Sequence, residues 1–137
     1  MLDVIKLLKY RADFYGELIS EVTHEAARTS NWPVGDREMM DAFVAKSNQC
    51  AFCTKAHASV AQRAYGDKKT VSGWLSDPDN AAIDEPLRAT LHMLGKLTRE
   101  HEVNADDIRA VLAAGASRQQ IEDALAVAKY LLARGYR

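Results

Sequence analysis

The stretch EMMDAFVAKSNQCAFCTKAH, running from Glu38 to His57, decides how the chain is read. It holds no alternation of apolar and polar residues of the kind a half-buried strand shows; its apolar residues recur at helical spacing instead. Asp36 is placed to cap a helix that runs to about Asn48. Ser47-Asn48-Gln49 then reads as a turn, and a second helix begins near Cys50 and ends by Gly66, a C-cap glycine. On the first of these helices Met39, Met40, Phe43, Val44 and Ser47 form one expected buried face. Glu38 lies opposite with Ala42 and Ala45, a small-residue seam that another helix can approach closely.

Working outward, the same periodicity continues in both directions. Leu8, Phe14, Tyr15, Leu18, Ile19, Val22 and Ala26 predict a helix over roughly 2–29, broken by Asn31-Trp32-Pro33-Val34-Gly35. A short helix is expected over Lys68–Leu75, followed by the loop Ser76-Asp77-Pro78-Asp79-Asn80. Asp84 caps the next, from Glu85 to Arg99, with Pro86 in a first turn that tolerates it and Leu87, Leu91, Leu94 and Leu97/Thr98 as its buried stripe. Asn104 caps a helix to Ala114, closed by Gly115. Ser117 with Gln120 gives a capping-box pattern for the last, whose inner face is Ile121, Leu125, Ala128, Leu131 and Leu132. The expectation is an all-α bundle of about six or seven helices, one domain over residues 1–137, without repeats.

Composition narrows the function classes. The chain of 137 residues is 47% apolar and 27% charged, ordinary for a soluble globular domain. Its 18 Lys plus Arg against 19 Asp plus Glu leave a formal charge of -1, which argues against nucleic-acid and membrane-surface partners, since both need basic excess. No apolar run is long enough to span a bilayer. The first residues, MLDVIKLLKYRADFYG, lack the continuous apolar core and cleavage site of a signal peptide. With only 2 Cys, close together, the chain is no disulfide-stapled secreted scaffold, and the expected setting is the cytoplasm.

The two cysteines carry the chemistry. Cys53 and His57 are four apart and therefore neighbours on the helix surface, with Cys50 one turn earlier. Val60, Ala61 and Ala64 continue that side, so the sulfurs and the imidazole are expected to face the apolar interior. The positive end of the helix dipole favours thiolate, whereas apolar burial opposes it. At Cys-x-x-Cys spacing the two sulfurs can close an intramolecular disulfide. Across the turn, Glu38 lies about 13 Å away and His57 about 10 Å at ~1.5 Å rise per residue, so the two stand at nearly one level. A carboxylate orienting a histidine that serves a cysteine follows the nucleophile–base–orienter logic of covalent catalysis.

At these residues the chain resembles the alkylhydroperoxidase D-like, carboxymuconolactone decarboxylase-like superfamily, whose signature is Glu38, Cys50-x-x-Cys53 and His57 in this numbering. The segments His92–Thr98 and Ala113–Ala124 are similar to that family's C-terminal helices, so the resemblance extends from about residue 30 onward. It implies an all-helical fold, a homo-oligomer, and peroxidase or disulfide-reductase activity without a metal or other cofactor. It also implies that Cys53 attacks the peroxide and Cys50 resolves it. Its implied partners are a hydroperoxide or disulfide substrate and an external dithiol reductant, a thioredoxin-like or lipoyl-bearing protein. The decarboxylase branch generally lacks the cysteine pair. Where some peroxidase members carry a histidine just before the second cysteine, this chain has Phe52. One proton-handling group is thus absent, which bears on peroxide reduction but leaves thiol–disulfide exchange intact.

Other readings compete. A lone Cys-x-x-Cys is compatible with redox work, metal binding or plain burial; a thioredoxin-like reading fails for want of a βαβ pattern. Cys50, Cys53, His57 and Glu38 also make a four-ligand zinc set, the basis of a zinc-stabilised interaction module. Against it, one short helix rarely presents three ligands at tetrahedral angles. Glu38 alone reads as a surface carboxylate as easily as a functional one. His24 and His92 fall on polar faces, His101 sits past a helix end where it complements the dipole, and Lys46 and Lys55 read as solvated. Trp32 and Trp74 read as core lids or oligomer contacts, Met39 and Met40 as packing.

Overall fold

The structure, a computed structural model, describes residues 29–133. The helix expected over 2–29 lies outside the described residues, as does His24; only its last residue, Thr29, is described, and it is not helical. The described residues form six helices: α1 (Val34–Ser47), α2 (Ala51–Tyr65), α3 (Lys68–Ser76), α4 (Glu85–Glu100), α5 (Ala105–Ala113) and α6 (Arg118–Ala133). No strand occurs among them. None of these helices is long and apolar enough to cross a membrane.

Helix α1 is the axis of the arrangement and packs against α2, α4, α6 and α3. The sequence pattern gives it one apolar face, but it is buried all round. Met40 and Val44 belong to a large cluster with Leu87, Leu91 and Leu94 of α4 and Ile121, Ala124 and Val127 of α6. Met39 and Ala42 belong to a second cluster with Ala58, Ala61 and Val71. Met39 and Met40 therefore face two different clusters, as residues about 100° apart on a helix can.

Asp36 does not cap α1. The helix starts two residues earlier at Val34, with extended Pro33 in the cap position and no side-chain cap. Tertiary contacts outweigh the cap preference here: a Cβ on Gly35 would stand 2.8 Å from Tyr65 Cζ, so the start of α1 lies directly against the end of α2. The Tyr65 hydroxyl donates to the Asp36 carboxylate. Burial, then the hydrogen bond to Asp36, push the Tyr65 phenol far above its usual value. Burial also raises Asp36, against the lowering effect of the Tyr65 bond.

The other boundaries follow their local signals, except that Asp84, which holds the N-cap position of α4, makes no side-chain cap hydrogen bond. Gly66, at φ 72°, ends α2 in the left-handed region. Asp67 opens α3 by accepting from the Lys69 amide at 2.8 Å. Pro86 stands in the first turn of α4, and Asn104 with Asp107 forms a reciprocal capping box on α5. The Ser117–Gln120 box also forms: Gln120 Oε1 accepts from the Ser117 amide at 2.9 Å and Ser117 Oγ from the Gln120 amide at 3.1 Å. Trp32 is a core lid, buried, with Nε1 donating to the Gln120 carbonyl at 2.7 Å. Trp74 stacks edge-on to Tyr65 with ring centroids 4.8 Å apart. His92 is exposed as expected and pairs with Asp79 at 2.6 Å. His101 is the left-handed C-cap of α4. Lys46 Nζ is engaged by the Leu75 carbonyl rather than simply solvated.

Candidate active site

The site lies between α1 and α2, the most closely associated helix pair among the described residues. Their seam is made of small side chains: Ala42 packs in one buried cluster with Ala58 and Ala61, and Ala45, also buried, follows one turn later on α1. Small residues let the backbones approach, and the three-residue turn, with Gln49 at φ 61°, folds α2 back along α1. The consequence is the juxtaposition that the rise arithmetic predicts. His57 Nδ1 lies 2.8 Å from Glu38 Oε2. Glu38 is only 6% exposed, so it is not a surface carboxylate.

At the start of α2, Cys50 and Cys53 are joined by a disulfide, with Cα atoms 5.4 Å apart, inside the range a disulfide accepts. Cys50 occupies the N-cap position, and its Sγ accepts from the Cys53 amide at 3.3 Å. Cys53 and His57, one turn apart, stand on the same flank of α2.

That flank is not the centre of the interior face. Val60 is 43% exposed and Ala64 is exposed, whereas Ala58 and Ala61 are buried. The contact stripe of α2 is therefore rotated by roughly a quarter-turn from the expected one, at about 100° per residue. Its line runs through Ala58, Ala61 and Tyr65, because Gly35 and Tyr65 fix the far end of the pair. Cys50, Cys53 and His57 sit on the shoulder of the seam, half-buried instead of enclosed. A shoulder position gives a soluble reactant access while the carboxylate behind the imidazole stays dry. Phe52, between the cysteines, is 59% exposed. Lys46, Gln49, Ala51, Thr54 and Lys55, which flank the disulfide in sequence, line a shallow hollow.

One residue was not anticipated. Asp41 is 2% exposed, and its Oδ2 lies 3.7 Å from the same Nδ1 of His57. It stands three residues after Glu38 and so on the same side of α1. That i, i+3 carboxylate pair, in a segment otherwise rich in Met and Ala, is the signal that would have revealed it.

The zinc set does not assemble as expected from the sequence, since both sulfurs are committed to the disulfide. The group of potential ligands that does come together among the described residues is Glu38, Asp41 and His57, whose donor atoms lie within 4.8 Å of one another. One imidazole nitrogen and two carboxylate oxygens suit a divalent cation in type. In this arrangement Nδ1 is already held by Glu38.

No protein-family model and no curated protein matches this chain. Solved structures do share its fold. The chain is similar to the alkylhydroperoxidase AhpD core of an uncharacterized peroxidase-related protein from Ralstonia eutropha JMP134, with a TM-score of 0.78 and 22% identity over 94% of this chain and 68% of that one. It is likewise similar to an uncharacterized peroxidase-related protein from Silicibacter sp. TM1040, with a TM-score of 0.78 and 20% identity over 97% of this chain and 70% of that one. The fold is thus the all-helical alkylhydroperoxidase D-like fold.

Proposed function

We infer that the protein is a thiol-dependent peroxidase that reduces hydroperoxides through Cys53 and Cys50. The observation that carries this reading is the Glu38–His57 hydrogen bond standing one helical turn from a closed Cys50–Cys53 disulfide.

In the reduced protein, Glu38 holds Nδ1 of His57, which leaves Nε2 as the nitrogen to serve the thiol. His57 takes the proton of Cys53. The thiolate attacks one oxygen of the hydroperoxide, an S–O bond forms and the O–O bond breaks. The sulfur becomes a sulfenic acid, and the departing alkoxide takes the proton from the imidazolium. Cys50 then displaces the hydroxyl, forming the disulfide and releasing water. An external dithiol protein resets the pair by exchange. No step is routed through a metal or cofactor. Homo-oligomeric assembly, which rests on the family resemblance, and a cytoplasmic setting, which rests on the two closely spaced cysteines, belong to the same reading.

A second reading, a general disulfide reductase, is favoured by one feature. Phe52 between the sulfurs is exposed and carries no proton-handling group, so the segment offers a macromolecular disulfide an apolar contact at the point of exchange.

The test is a pair of variants assayed with a supplied dithiol. Cys53→Ser should abolish peroxide consumption, and Cys50→Ser should accumulate a sulfenic acid on Cys53. Full turnover in both would exclude the mechanism, and turnover of protein disulfides without peroxide consumption would move the assignment to the reductase.

A further inference from the structure

We propose that the outer face of α2 is the docking surface for the protein dithiol that reduces the Cys50–Cys53 disulfide, and that it selects a partner whose dithiol is ringed by Asp and Glu side chains. The inference rests on the exchange step of the peroxidase reading. Its first observation is an apolar row. Phe52, Ala56 and Val60 follow one another four residues apart, so they lie along one line of the helix surface, about 12 Å long at ~1.5 Å rise per residue. All three are exposed, Phe52 at 59% and Val60 at 43%. Phe52 immediately precedes Cys53 and Ala56 immediately precedes His57, so the row runs alongside the thiol centre. A single exposed apolar side chain needs no explanation. A row of them beside a reactive disulfide, with an aromatic ring at the end nearest the sulfurs, has the make-up of a contact surface.

The second observation is charge. From Ala42 to Gly66 the sequence holds Lys46, Lys55 and Arg63 but no Asp or Glu, although the chain as a whole has a formal charge of -1. All three cations are exposed. Among the described residues none of them pairs with a carboxylate; Lys46 donates to the Leu75 carbonyl, a neutral acceptor that leaves its charge uncancelled. Lys46 and Lys55 line the hollow beside the disulfide, at one end of the row. Arg63 falls on the same outer face beyond Val60, at about 100° per residue. The acidic residues that border this stretch are taken up elsewhere. Glu38 and Asp41 are buried, and Asp67 accepts from the Lys69 amide and the Thr70 hydroxyl at the start of α3. Positive charge at both ends of an apolar row attracts an acidic partner surface and repels a basic one. In the exchange, a thiolate of the partner attacks one sulfur of the pair, forming a mixed disulfide and releasing the other sulfur. The partner's second thiol then displaces the first from the mixed disulfide. The partner leaves as a disulfide and this chain as a dithiol, two electrons and two protons having passed.

The experiment measures reduction of the oxidised protein by two synthetic dithiol peptides. Each carries a Cys-x-x-Cys pair and flanking Leu residues, with Glu residues around them in one and Lys residues in the other. The mass of the intact chain, which gains two hydrogen atoms, follows the reaction, and every rate is divided by that protein's own rate with dithiothreitol. At 0.01 M salt, where the Debye length is about 30 Å, the Glu peptide should react about tenfold faster than the Lys peptide or more. At 1 M salt, with a Debye length of about 3 Å, the two rates should converge. Lys55→Glu combined with Arg63→Glu should abolish or reverse the preference, and Phe52→Ala should slow both peptides by about fivefold, as loss of an interface anchor does. Equal rates at low salt, a preference that survives 1 M salt or the double charge reversal, or an unchanged Phe52→Ala rate overturns the proposal. Sedimentation of wild type and the double variant tests the other occupant. Equal masses support a partner site, whereas an assembly that dissociates in the variant makes this face a contact between copies and overturns it. Because no peroxide enters the assay, the outcome is separate from turnover: a Glu-peptide preference without peroxide consumption sinks the peroxidase reading and leaves the docking surface standing.

Discussion

The Nδ1 atom of His57 lies 2.8 Å from Oε2 of Glu38, across a seam of alanines between α1 and α2. If this contact sets the tautomer that faces the thiol, Glu38→Gln should lower peroxide turnover by about 10²–10⁴-fold, the range a positioned proton-transfer group supplies. The variant should keep its helical circular dichroism. Stopped-flow oxidation of the reduced protein measures the loss; a Glu38→Gln rate within a factor of two of wild type would be about that of an uninvolved residue.

The close approach of α1 and α2 gives a stability prediction. A methyl group on Gly35 would meet the Tyr65 ring at 2.8 Å. The ring cannot swing away cheaply, because Asp36 holds its hydroxyl and Trp74 packs edge-on against it. Gly35→Ala should therefore destabilise the protein by about 1–3 kcal/mol, as overpacking does. Urea unfolding reads this directly. A neutral or stabilising effect would mean that the α1–α2 end contact is looser than described.

Tyr65 also predicts a pH dependence. Its phenol is pushed up from 10.0 by burial and by the Asp36 hydrogen bond, so the folded state holds this proton more tightly than the unfolded chain does. Stability from this group is fully present below about 10 and falls as pH rises past that value, where the unfolded chain ionises first. Tyr65→Phe should be less stable at neutral pH, for want of the hydrogen bond, but its stability should decline less between about pH 10 and 11.5. Thermal melts across that interval, on both proteins, provide the comparison; parallel declines would contradict the assignment.

The Asn104 cap and the Lys96–Asp107 pair behave in the opposite sense at low pH. Asp107 is held below its usual value, first by the Lys96 hydrogen bond and then by the Asn104 amide. Its contribution is present above about 3.8 and is lost as pH falls through its lower folded-state value. Asn104→Ala should cost about 1 kcal/mol at neutral pH, the usual price of an N-cap. Chemical denaturation at pH 7 checks the magnitude.

Much of this architecture was legible because its signals are local. Gly66, Pro86, the Asn104 cap and the Ser117–Gln120 box each specify a boundary through the backbone of a few neighbouring residues, and each boundary fell where those residues put it. The Glu38–His57 contact was legible for a related reason: two helices joined by a short turn leave few ways to align their rises. Asp36 misled because its carboxylate goes to Tyr65, a partner 29 residues away, instead of to the helix start. The two-sided burial of Met39 and Met40 depends on α2 and α3 on one side and α4 and α6 on the other, which no pattern within α1 encodes. Asp41 was missed because an aspartate inside a helix ordinarily faces water, and its burial beside His57 of α2 comes from tertiary packing that α1 alone does not encode. The face of α2 was misjudged by about a quarter-turn for a similar reason: Gly35 and Tyr65 set its rotation from the far end.

The most direct test of the central claim is to treat the fully reduced protein with one equivalent of an alkyl hydroperoxide and weigh the intact chain and its peptides. The account predicts a product two hydrogen atoms lighter, with Cys50 and Cys53 linked and one equivalent of alcohol released. Unchanged free thiols with the hydroperoxide intact would contradict it.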